Sequence, residues 1–276
     1  MQDRTSPGAT GSDAAGVLRE ERRDAVAILT LARPSARNAL SLEMLAALQS
    51  AIDRVSVDRS VSAVVVDALG PAFCAGHDLK ELTAQRGSAD GGRAFYAHTM
   101  ERCAGVMTSI MRSPKPFIAA VEGVATAAGC QLVATCDLAV AGAAARFGTP
   151  GVNIGLFCST PMVALSRNVP RKQAMEMLLL GETLDAEQAV HYGLVNRVVT
   201  EGAALEGALE MARTIASKSP AVVAIGKEAF YAQIELGVAD AYAYASDVMV
   251  RNMMHRDAKE GIGAFIDKRP PDWKGD

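Results

Sequence analysis

Short apolar runs alternate with amphipathic stretches over the first two-thirds of the chain. Residues 26–31 (VAILTL), 61–69 (VSAVVVDAL) and 117–121 (FIAAV) have the length and β-branched content of buried strands. Apolar residues recur at helical spacing after Ser41, which suits an N-cap, and again over residues 93–111. The pattern therefore predicts an α/β fold in which strands alternate with helices.

The last third of the chain has helical periodicity almost throughout. It predicts helices over Ala203–Ser217, Pro220–Leu236 and Ala239–Lys268, the last with an apolar stripe suited to a subunit interface or to packing within the chain.

No low-complexity linker or fixed-period repeat divides the chain into independent folding units. We expect a disordered extension at residues 1–16, an α/β core at residues 17–200 and a helical region at residues 201–276.

Composition and charge exclude several classes of function. Half of the residues are hydrophobic, and the net charge of −3 comes from acids and bases mixed along the chain. With no basic block, nucleic-acid binding is not expected. The longest apolar run, residues 116–147, is interrupted by Glu122 and Asp137, so no membrane span is expected.

Cysteine and histidine spacing argues against disulfides and metals. The five cysteines include no CxxC pair, and the four histidines lack the i, i+4 spacing of a metal-binding helix. A reducing compartment is expected, and residues 1–16 are too acidic for a transit peptide. These features predict a cytoplasmic protein without a metal.

The glycine- and alanine-rich stretch from Pro116 to Phe147 offers the first functional lead. A predicted strand ends near Gly123, and small residues at 125–129 lead into a helix that carries Gln131. A strand, a small-residue turn and a helix N-terminus leave main-chain N–H groups free to bind an anion or a developing oxyanion. Tight packing without a ligand explains these residues equally well.

A second turn, Ala75–His77, has the same character. Asp78 is placed to cap a short helix through Leu82, which leaves N–H groups free at this turn as well. Two such turns could converge on one oxygen atom. The His77 side chain is then either functional or only a neighbour of the site.

Two other residues are weaker candidates for chemistry. Cys158 lies near a helix start, but no base is positioned to activate it as a nucleophile. Asp137 follows a helix and precedes a strand, which favours a structural role over catalysis.

Four motifs make the chain resemble the crotonase (enoyl-CoA hydratase/isomerase) superfamily from Val17 onward. They are Arg33-Pro34 with Arg37-Asn38-Ala39-Leu40, the segment from Phe73 to Leu82, the segment from Gly123 to Asp137, and the segment from Leu178 to Gly193. Residues 148–151 and 156–161 are similar to the enoyl-CoA hydratase domain-containing branch of the superfamily. Members of this branch lack the usual catalytic glutamates.

The resemblance implies a superhelix of repeated ββα units, a helical C-terminal region, and a homotrimer or a dimer of trimers. It implies an acyl-CoA thioester as ligand, with coenzyme A entering as part of the substrate and no separate cofactor. By motif, the thioester oxygen would be bound by the N–H groups of His77 and Ala128.

The resemblance also assigns residues that bind coenzyme A. The nucleotide would be held by Arg33, Ala36, Arg37 and Ala39. Asp78, Leu79 and Lys80 would line the pantetheine path, and Ala75 would also bind the substrate. Phe265 and Lys268 would approach coenzyme A from a neighbouring subunit.

The chain departs from the superfamily at the two catalytic glutamates, whose positions hold Gln131 and Gly151. A positioned general acid or base contributes about 10²- to 10⁴-fold, so standard hydration is expected to be weak or absent. The remaining alternatives are a replacement base at Glu81 or Glu122, a non-catalytic acyl-CoA-binding protein, and a decarboxylation or thioester hydrolysis.

The last of these alternatives involves histidine. It would use His77 or His98, and the AGHD form of the first turn also occurs in the methylmalonyl-CoA decarboxylase branch of the superfamily.

Overall fold

The computed structural model describes residues 16–275, so the extension expected at residues 1–16 lies almost entirely outside the described residues. The strands are β1 (Leu18–Arg23), β2 (Val26–Leu31), β3 (Ala63–Ala68), β4 (Ala72–Cys74), β5 (Phe117–Val121), β6 (Val124–Thr126), β7 (Leu138–Gly142), β8 (Arg146–Gly148), β9 (Thr183–Asp185) and β10 (Arg197–Val199). The helices are α1 (Leu42–Val57), α2 (Leu79–Ala84), α3 (Arg93–Arg112), α4 (Ala128–Thr135), α5 (Pro161–Asn168), α6 (Arg171–Leu180), α7 (Ala186–His191), α8 (Ala204–Ala216), α9 (Pro220–Gln233), α10 (Val238–Met253) and α11 (Arg256–Ile266).

The larger sheet has six strands in the order β1-β2-β3-β5-β7-β10. β1 pairs antiparallel with β2, and every other neighbouring pair is parallel. The predicted strands at residues 26–31 and 117–121 form with the predicted boundaries, and the predicted strand at 61–69 shortens to β3. These strands read as continuous apolar runs because helices cover both faces of the sheet.

The smaller sheet, in the order β4-β6-β8-β9, is built from strands of three residues each. Three consecutive pairs of strands repeat one arrangement, with the first strand of each pair in the larger sheet and the second in the smaller sheet. The pairs are β3 with β4, β5 with β6, and β7 with β8. This repetition confirms the superhelix of repeated units. The sequence pattern predicted turns at these short strands because three residues are too few to show a period of two.

Helices bury opposite faces of the larger sheet. Ser41 caps α1 by accepting a hydrogen bond from the Met44 N–H at 3.2 Å, and the apolar side of α1 packs with α3 over one face. On the other face, α8 packs through Ala208, Leu209 and Ala212. Both faces of the larger sheet are therefore covered by apolar side chains.

The helix predicted over Ala239–Lys268 is wrong as a single element. Helix α10 ends at Met253. His255 then caps α11 through its ring nitrogen Nδ1, which accepts a hydrogen bond from the Asp257 N–H at 3.4 Å. Asp257 is buried and accepts a hydrogen bond from the Ser219 hydroxyl at 2.6 Å. A local cap and a buried carboxylate thus divide a stretch whose periodicity is continuous.

A part-buried ion pair fastens the C-terminal helices to the core. The Lys227 Nζ on α9 lies 2.7 Å from Asp137 Oδ2, and the Tyr231 hydroxyl donates to Asp137 Oδ1 at 2.9 Å. Asp137 also accepts the main-chain N–H of Phe117 at 2.7 Å. The structural role predicted for Asp137 is confirmed.

Candidate functional site

Three parallel strands of the smaller sheet end side by side. Cys74 on β4 is in register with Ala125 on β6, and Thr126 is in register with Gly148 on β8. The residues that follow these strands therefore emerge at one edge of the sheet. Ligands of parallel sheets bind at this edge, beyond the carboxyl ends of the strands.

The Arg37–Leu40 segment pairs with the first of these turns. The Leu40 N–H donates to the Gly76 carbonyl at 2.8 Å, and the Leu40 carbonyl accepts from the Asp78 N–H at 3.4 Å. In a parallel bridge of this kind, the N–H of the intervening residue, His77, points away from Leu40. The segment assigned to nucleotide binding is thus joined to the turn that carries His77.

Gly76 brings the two predicted turns into contact. Its φ of +97° favours glycine, and a Cβ atom at this position would lie 2.9 Å from Ala127 Cβ and 3.4 Å from the Ala128 nitrogen. Any larger residue would push the Ala127–Ala128 backbone away. The two turns therefore lie in direct contact, and their convergence on one oxygen atom stays a prediction.

The start of α4 is held in an unusual conformation. Ala127 has φ 51° and ψ −119°, which is strained for a residue with a side chain, and its N–H donates to the Gly148 carbonyl at 2.9 Å. The helix passes so close to β4 that a Cβ at Gly129 would lie 2.1 Å from the Cys74 carbonyl oxygen. Strand, turn and helix are therefore locked together at this point.

The two N–H groups at the contact are unpaired within the main chain. Neither the His77 N–H nor the Ala128 N–H has a main-chain hydrogen-bond acceptor among residues 16–275. Ala128 is the first residue of α4, where N–H groups have no intrahelical partner and the helix dipole favours negative charge. Unpaired main-chain donors of this kind can stabilise a developing oxyanion.

Asn38 fixes the loop that precedes α1. Its buried side chain accepts from the Arg33 N–H at 2.8 Å and donates to the carbonyls of Leu69 and Ala72 at 2.9 and 2.8 Å. This arrangement leaves Arg37 exposed beside the site and Ala39 buried beneath it. Asn38 belongs to the motif on which the resemblance rests, but its anchoring role was not predicted.

Asp78 is occupied by local contacts. It caps α2 by accepting the N–H groups of Lys80 and Glu81, and it pairs with Arg33 Nη2 at 3.1 Å. Burial opposes ionisation, but the hydrogen bonds and the Arg33 charge prevail and lower the pKa of Asp78. Leu79 and Lys80 stay exposed in the first turn of α2. The loop and α2 thus present basic side chains next to the turn.

The His77 imidazole is enclosed beside the Leu40 backbone. Both ring nitrogens are buried and have no hydrogen bond within the protein. Burial lowers the pKa of His77, and the nearby Leu40 carbonyl offsets this only in part. The ring is therefore neutral at neutral pH.

Gln131 and Gly151, which the family resemblance predicts at the two glutamate positions, offer no ionisable group. Gln131 lies in the first turns of α4 with its Oε1 buried and unpaired. A Cβ at Gly151 would lie 2.7 Å from the Leu156 carbonyl oxygen and 2.8 Å from Cys158 Sγ. The loop has closed around Gly151 and leaves no space for a side chain.

Cys158 is a packing residue in this loop. Cys158 is nearly covered, and burial raises the pKa of its thiol. A hydrogen bond with the Gly151 backbone lowers this pKa, but it offsets the effect of burial only in part. A raised pKa keeps the thiol protonated at neutral pH, which disfavours the nucleophilic role considered from the sequence.

The replacement bases considered from the sequence have structural partners. Glu81 accepts the Leu42 N–H at 3.1 Å, and Glu122 accepts the Ala204 N–H at 2.9 Å. Each carboxylate thus holds the start of a helix, α1 or α8. His98 is exposed on α3.

Phe265 and Lys268 lie at the C-terminal end of the fold. Phe265 is 85% exposed on α11, a helix that packs against α9 and α10. The contacts within this one chain do not bring either residue to the turns, so their predicted approach to coenzyme A stays a prediction.

One polar residue beside the site was not predicted. Thr149 follows β8 directly and is 1% exposed, and its hydroxyl has no hydrogen-bond partner within the protein. The sequence showed it only as part of a turn, because β8 is too short to be predicted and its end was therefore not located.

Comparison with known proteins assigns the class. The family model described as enoyl-CoA hydratase/isomerase matches residues 21–276, and the chain belongs to this family. Enoyl-CoA hydratase domain-containing protein 3 of Rattus norvegicus is 47% identical over 252 residues, covering 91% of this chain and 82% of the rat protein.

Solved structures agree with this assignment. The chain is similar to an enoyl-CoA hydratase of Mycobacterium smegmatis, with 52% identity, a TM-score of 0.88, and coverage of 93% of this chain and 98% of that one. Human enoyl Coenzyme A hydratase domain-containing protein 3 gives 46% identity and a TM-score of 0.88 over 93% of this chain and 100% of its own. The resemblance stated from the sequence is confirmed.

The predicted cytoplasmic location is wrong. The relatives from rat, mouse and human are each named as mitochondrial proteins. The prediction rested on cysteines suited to a reducing compartment, which does not separate the cytosol from other reducing compartments. Among residues 16–275, no helix is long and apolar enough to cross a membrane.

Proposed function

We propose that this chain binds an acyl-CoA thioester and stabilises the enolate form of its carbonyl group. The thioester oxygen accepts hydrogen bonds from the N–H groups of His77 and Ala128. The observation that carries the proposal is the contact made by Gly76, which holds two unpaired donors on adjoining turns. Such donors act on the charge that develops in the transition state.

The neighbouring basic residues support coenzyme A as the carrier. Arg33, Arg37 and Lys80 lie on segments that are hydrogen-bonded to the His77 turn. Guanidinium and ammonium groups bind phosphates, and the nucleotide part of coenzyme A carries several of them.

Standard hydration is proposed to be weak. A hydratase needs one group to activate water and another to deliver a proton, whereas Gln131 cannot exchange a proton at neutral pH and Gly151 has no side chain. The closed loop around Gly151 supports this, because no ionisable side chain substitutes there.

A second candidate is a crotonase reaction that needs no paired glutamates, such as decarboxylation of an acyl-CoA. The favouring observation is the buried, neutral and unpaired imidazole of His77 beside the proposed donors. Loss of a carboxylate requires enolate stabilisation rather than water activation, so this reaction tolerates Gln131 and Gly151 in place of the two glutamates.

We also propose that the chain assembles as a homotrimer or a dimer of trimers. Large apolar side chains are exposed along the C-terminal helices, including Tyr242, Met254 and Phe265. Apolar surface of this kind marks protein interfaces. Sedimentation velocity of the full chain tests the assembly, and a monomer at micromolar concentration would contradict it.

The proposed function is tested with purified protein and crotonyl-CoA. We expect the thioester to raise the thermal unfolding temperature while the enoyl-thioester absorbance declines slowly, at least about 100-fold below an active hydratase. Turnover at the rate of an active hydratase would contradict the proposed weak hydration. No stabilisation by any acyl-CoA would contradict thioester binding and favour a non-catalytic role for the fold.

A further inference from the structure

Helix α2 follows the His77 turn directly, but it has little packing of its own to hold it in place. It has six residues, and none of their side chains is buried. A helix this short is not stable alone in water, and packing normally supplies its stability. The position of α2, and of the turn before it, therefore depends on hydrogen bonds to neighbouring segments.

Helix α1 is the neighbour that the core holds in place. It has 16 residues, and its buried side chains, which include Met44, Leu45 and Leu48, belong to the main hydrophobic core. The residues just before α1 pair with the His77 turn, since the Leu40 N–H donates to the Gly76 carbonyl at 2.8 Å. A helix fixed by the core thus begins beside a helix that is not.

One side chain connects the two helices. The Glu81 Oε2 on α2 accepts a hydrogen bond from the Leu42 N–H at 3.1 Å. Leu42 is the first residue of α1, where an N–H has no partner within the helix and the helix dipole favours a carboxylate. Ser41 caps a different group, the Met44 N–H, so it does not take the place of Glu81. The bond from Leu42 to Glu81 is charge-assisted, which makes it stronger than a neutral hydrogen bond.

The connection through Glu81 holds the side of the turn that follows His77. On that side, the main-chain bond from the Asp78 N–H to the Leu40 carbonyl is 3.4 Å long, beyond the usual range for such bonds. The ion pair of Asp78 with Arg33 is partly exposed. Asp78 also accepts the Glu81 N–H at 3.2 Å, so the Glu81 side chain and the residue after His77 are joined within one helical turn.

We propose that Glu81 is a positioning residue that keeps the His77 N–H directed at the thioester oxygen. It acts through α2 and the start of α1. This inference rests on the proposed function, because it explains how one of the two proposed donors keeps its direction. Loss of the Glu81 carboxylate therefore weakens polarisation of a bound thioester carbonyl.

The test uses a conjugated dienoyl-CoA, whose absorption band moves to longer wavelength when its carbonyl is polarised. The band is recorded at saturating protein, so that weaker binding is not mistaken for weaker polarisation. We expect Glu81→Ala to lose about half of the native shift or more, because one of the two donors is no longer aimed at the oxygen. Glu81→Gln should keep most of the shift, since its amide oxygen still accepts the Leu42 N–H.

A second pair of variants removes the donor instead of the acceptor. Leu42→Pro has no N–H to offer Glu81, yet proline suits the first position of a helix, and the extended Ser41, with ψ 167°, suits the residue before a proline. It should lose as much of the shift as Glu81→Ala, whereas Leu42→Ala keeps the N–H and should keep the shift. Combining Glu81→Ala with Leu42→Pro should cost no more than either change alone.

Glu122→Ala is the matched control. Glu122 also accepts the first N–H of a helix, that of Ala204 at 2.9 Å, but this helix, α8, covers the face of the larger sheet opposite α1. The variant should have a lower urea unfolding midpoint and the full band shift.

The outcomes separate the role of Glu81 from the proposed function. A full shift in both Glu81→Ala and Leu42→Pro, or an equal loss in Glu122→Ala, would overturn the positioning role and leave the proposed function intact. A bound dienoyl-CoA without a shift in the native protein would contradict the oxyanion site itself and, with it, the role of Glu81.

Discussion

Gln131 is the residue on which the proposed weak hydration depends most. It lies on α4, three positions after the proposed donor Ala128, at a position where the family resemblance predicts a glutamate in a hydratase. The family model matches across this region, so we expect the amide in place of a carboxylate to be a local chemical change that removes proton transfer.

Restoring one carboxylate should recover part of the hydration activity. We expect Gln131→Glu to raise the rate of crotonyl-CoA hydration by about 10- to 100-fold, at the lower end of what a general base contributes because its partner at Gly151 is still missing. The rate is measured from the loss of enoyl-thioester absorbance. Gln173→Glu on α6 is the control, and an equal gain in that variant would show that added charge alone is responsible.

The neutral state of His77 makes a prediction about pH. Burial lowers its pKa in the folded protein, whereas the unfolded chain has the ordinary value of about 6.5. Between these two values the unfolded state binds more protons, so the free energy of unfolding falls as pH decreases from about 6.5 through the folded pKa.

Urea unfolding between pH 7.5 and 5 tests this expectation. The native midpoint should fall more steeply over that range than the midpoint of His77→Asn, which does not titrate. The exposed His98→Asn variant serves as control and should follow the native curve. Parallel curves for the native protein and His77→Asn would show that His77 titrates normally.

Some of these residue positions could be read from the sequence, and others could not. The turn at Ala75–His77 was found because glycine, a capping Asp78 and an apolar strand stand together in the chain. Thr149 was not predicted, because its place beside Ala127 depends on the pairing of β6 with β8. Neither of these short strands produces a recognisable sequence pattern. A contact between distant segments leaves no trace in local spacing.

At the scale of elements, the three-residue strands β4, β6 and β8 position the site. The central strands β2, β3 and β5 of the larger sheet were predicted because each is a largely apolar run of five or six residues. The short strands instead depend on their neighbours: β6 pairs with β4 on one side and with β8 on the other. Their existence is a tertiary effect that local propensity does not record.

The loop that follows β8 leaves no room for a side chain at Gly151, the position predicted for the second glutamate. The Leu156 N–H donates to the Gly151 carbonyl at 2.9 Å, so the loop closes on itself at this position. We expect Gly151→Glu to lower the free energy of unfolding by about 1–3 kcal/mol through overpacking, without raising crotonyl-CoA hydration. Urea unfolding and the absorbance assay measure the two effects.

The matched control for that variant is Gly226→Glu on α9. No atom lies within 4 Å of a Cβ at Gly226, and replacing a helical glycine adds helix propensity. This variant should be as stable as the native chain or more so. Strong hydration by Gly151→Glu would mean that the loop opens readily and that Cys158 does not close it.

At the scale of the whole molecule, the site is assembled from segments far apart in the chain. Four segments meet at the site: the 33–40 loop, the His77 turn, the start of α4 and the end of β8. They meet only because successive units place their strands in the same two sheets. The C-terminal helices are tied to this core by the part-buried pair of Lys227 and Asp137. The fold class and this order of units follow from the sequence, whereas the break between α10 and α11 does not.

The proposed function depends on the N–H groups of His77 and Ala128 polarising a bound thioester carbonyl. The most direct measurement is the absorption spectrum of a conjugated dienoyl-CoA bound to the protein, because polarisation of the carbonyl moves its band to longer wavelength. The native protein should shift the band. Gly76→Ala, which forces the two turns apart, should lose the shift.

Gly91→Ala is the control for that variant, since Gly91 also has a positive φ of 66° but no atom lies within 4 Å of its Cβ position. It should keep the full shift. A bound dienoyl-CoA whose spectrum is unchanged in the native protein, or a shift that persists in Gly76→Ala, would contradict the proposed oxyanion site.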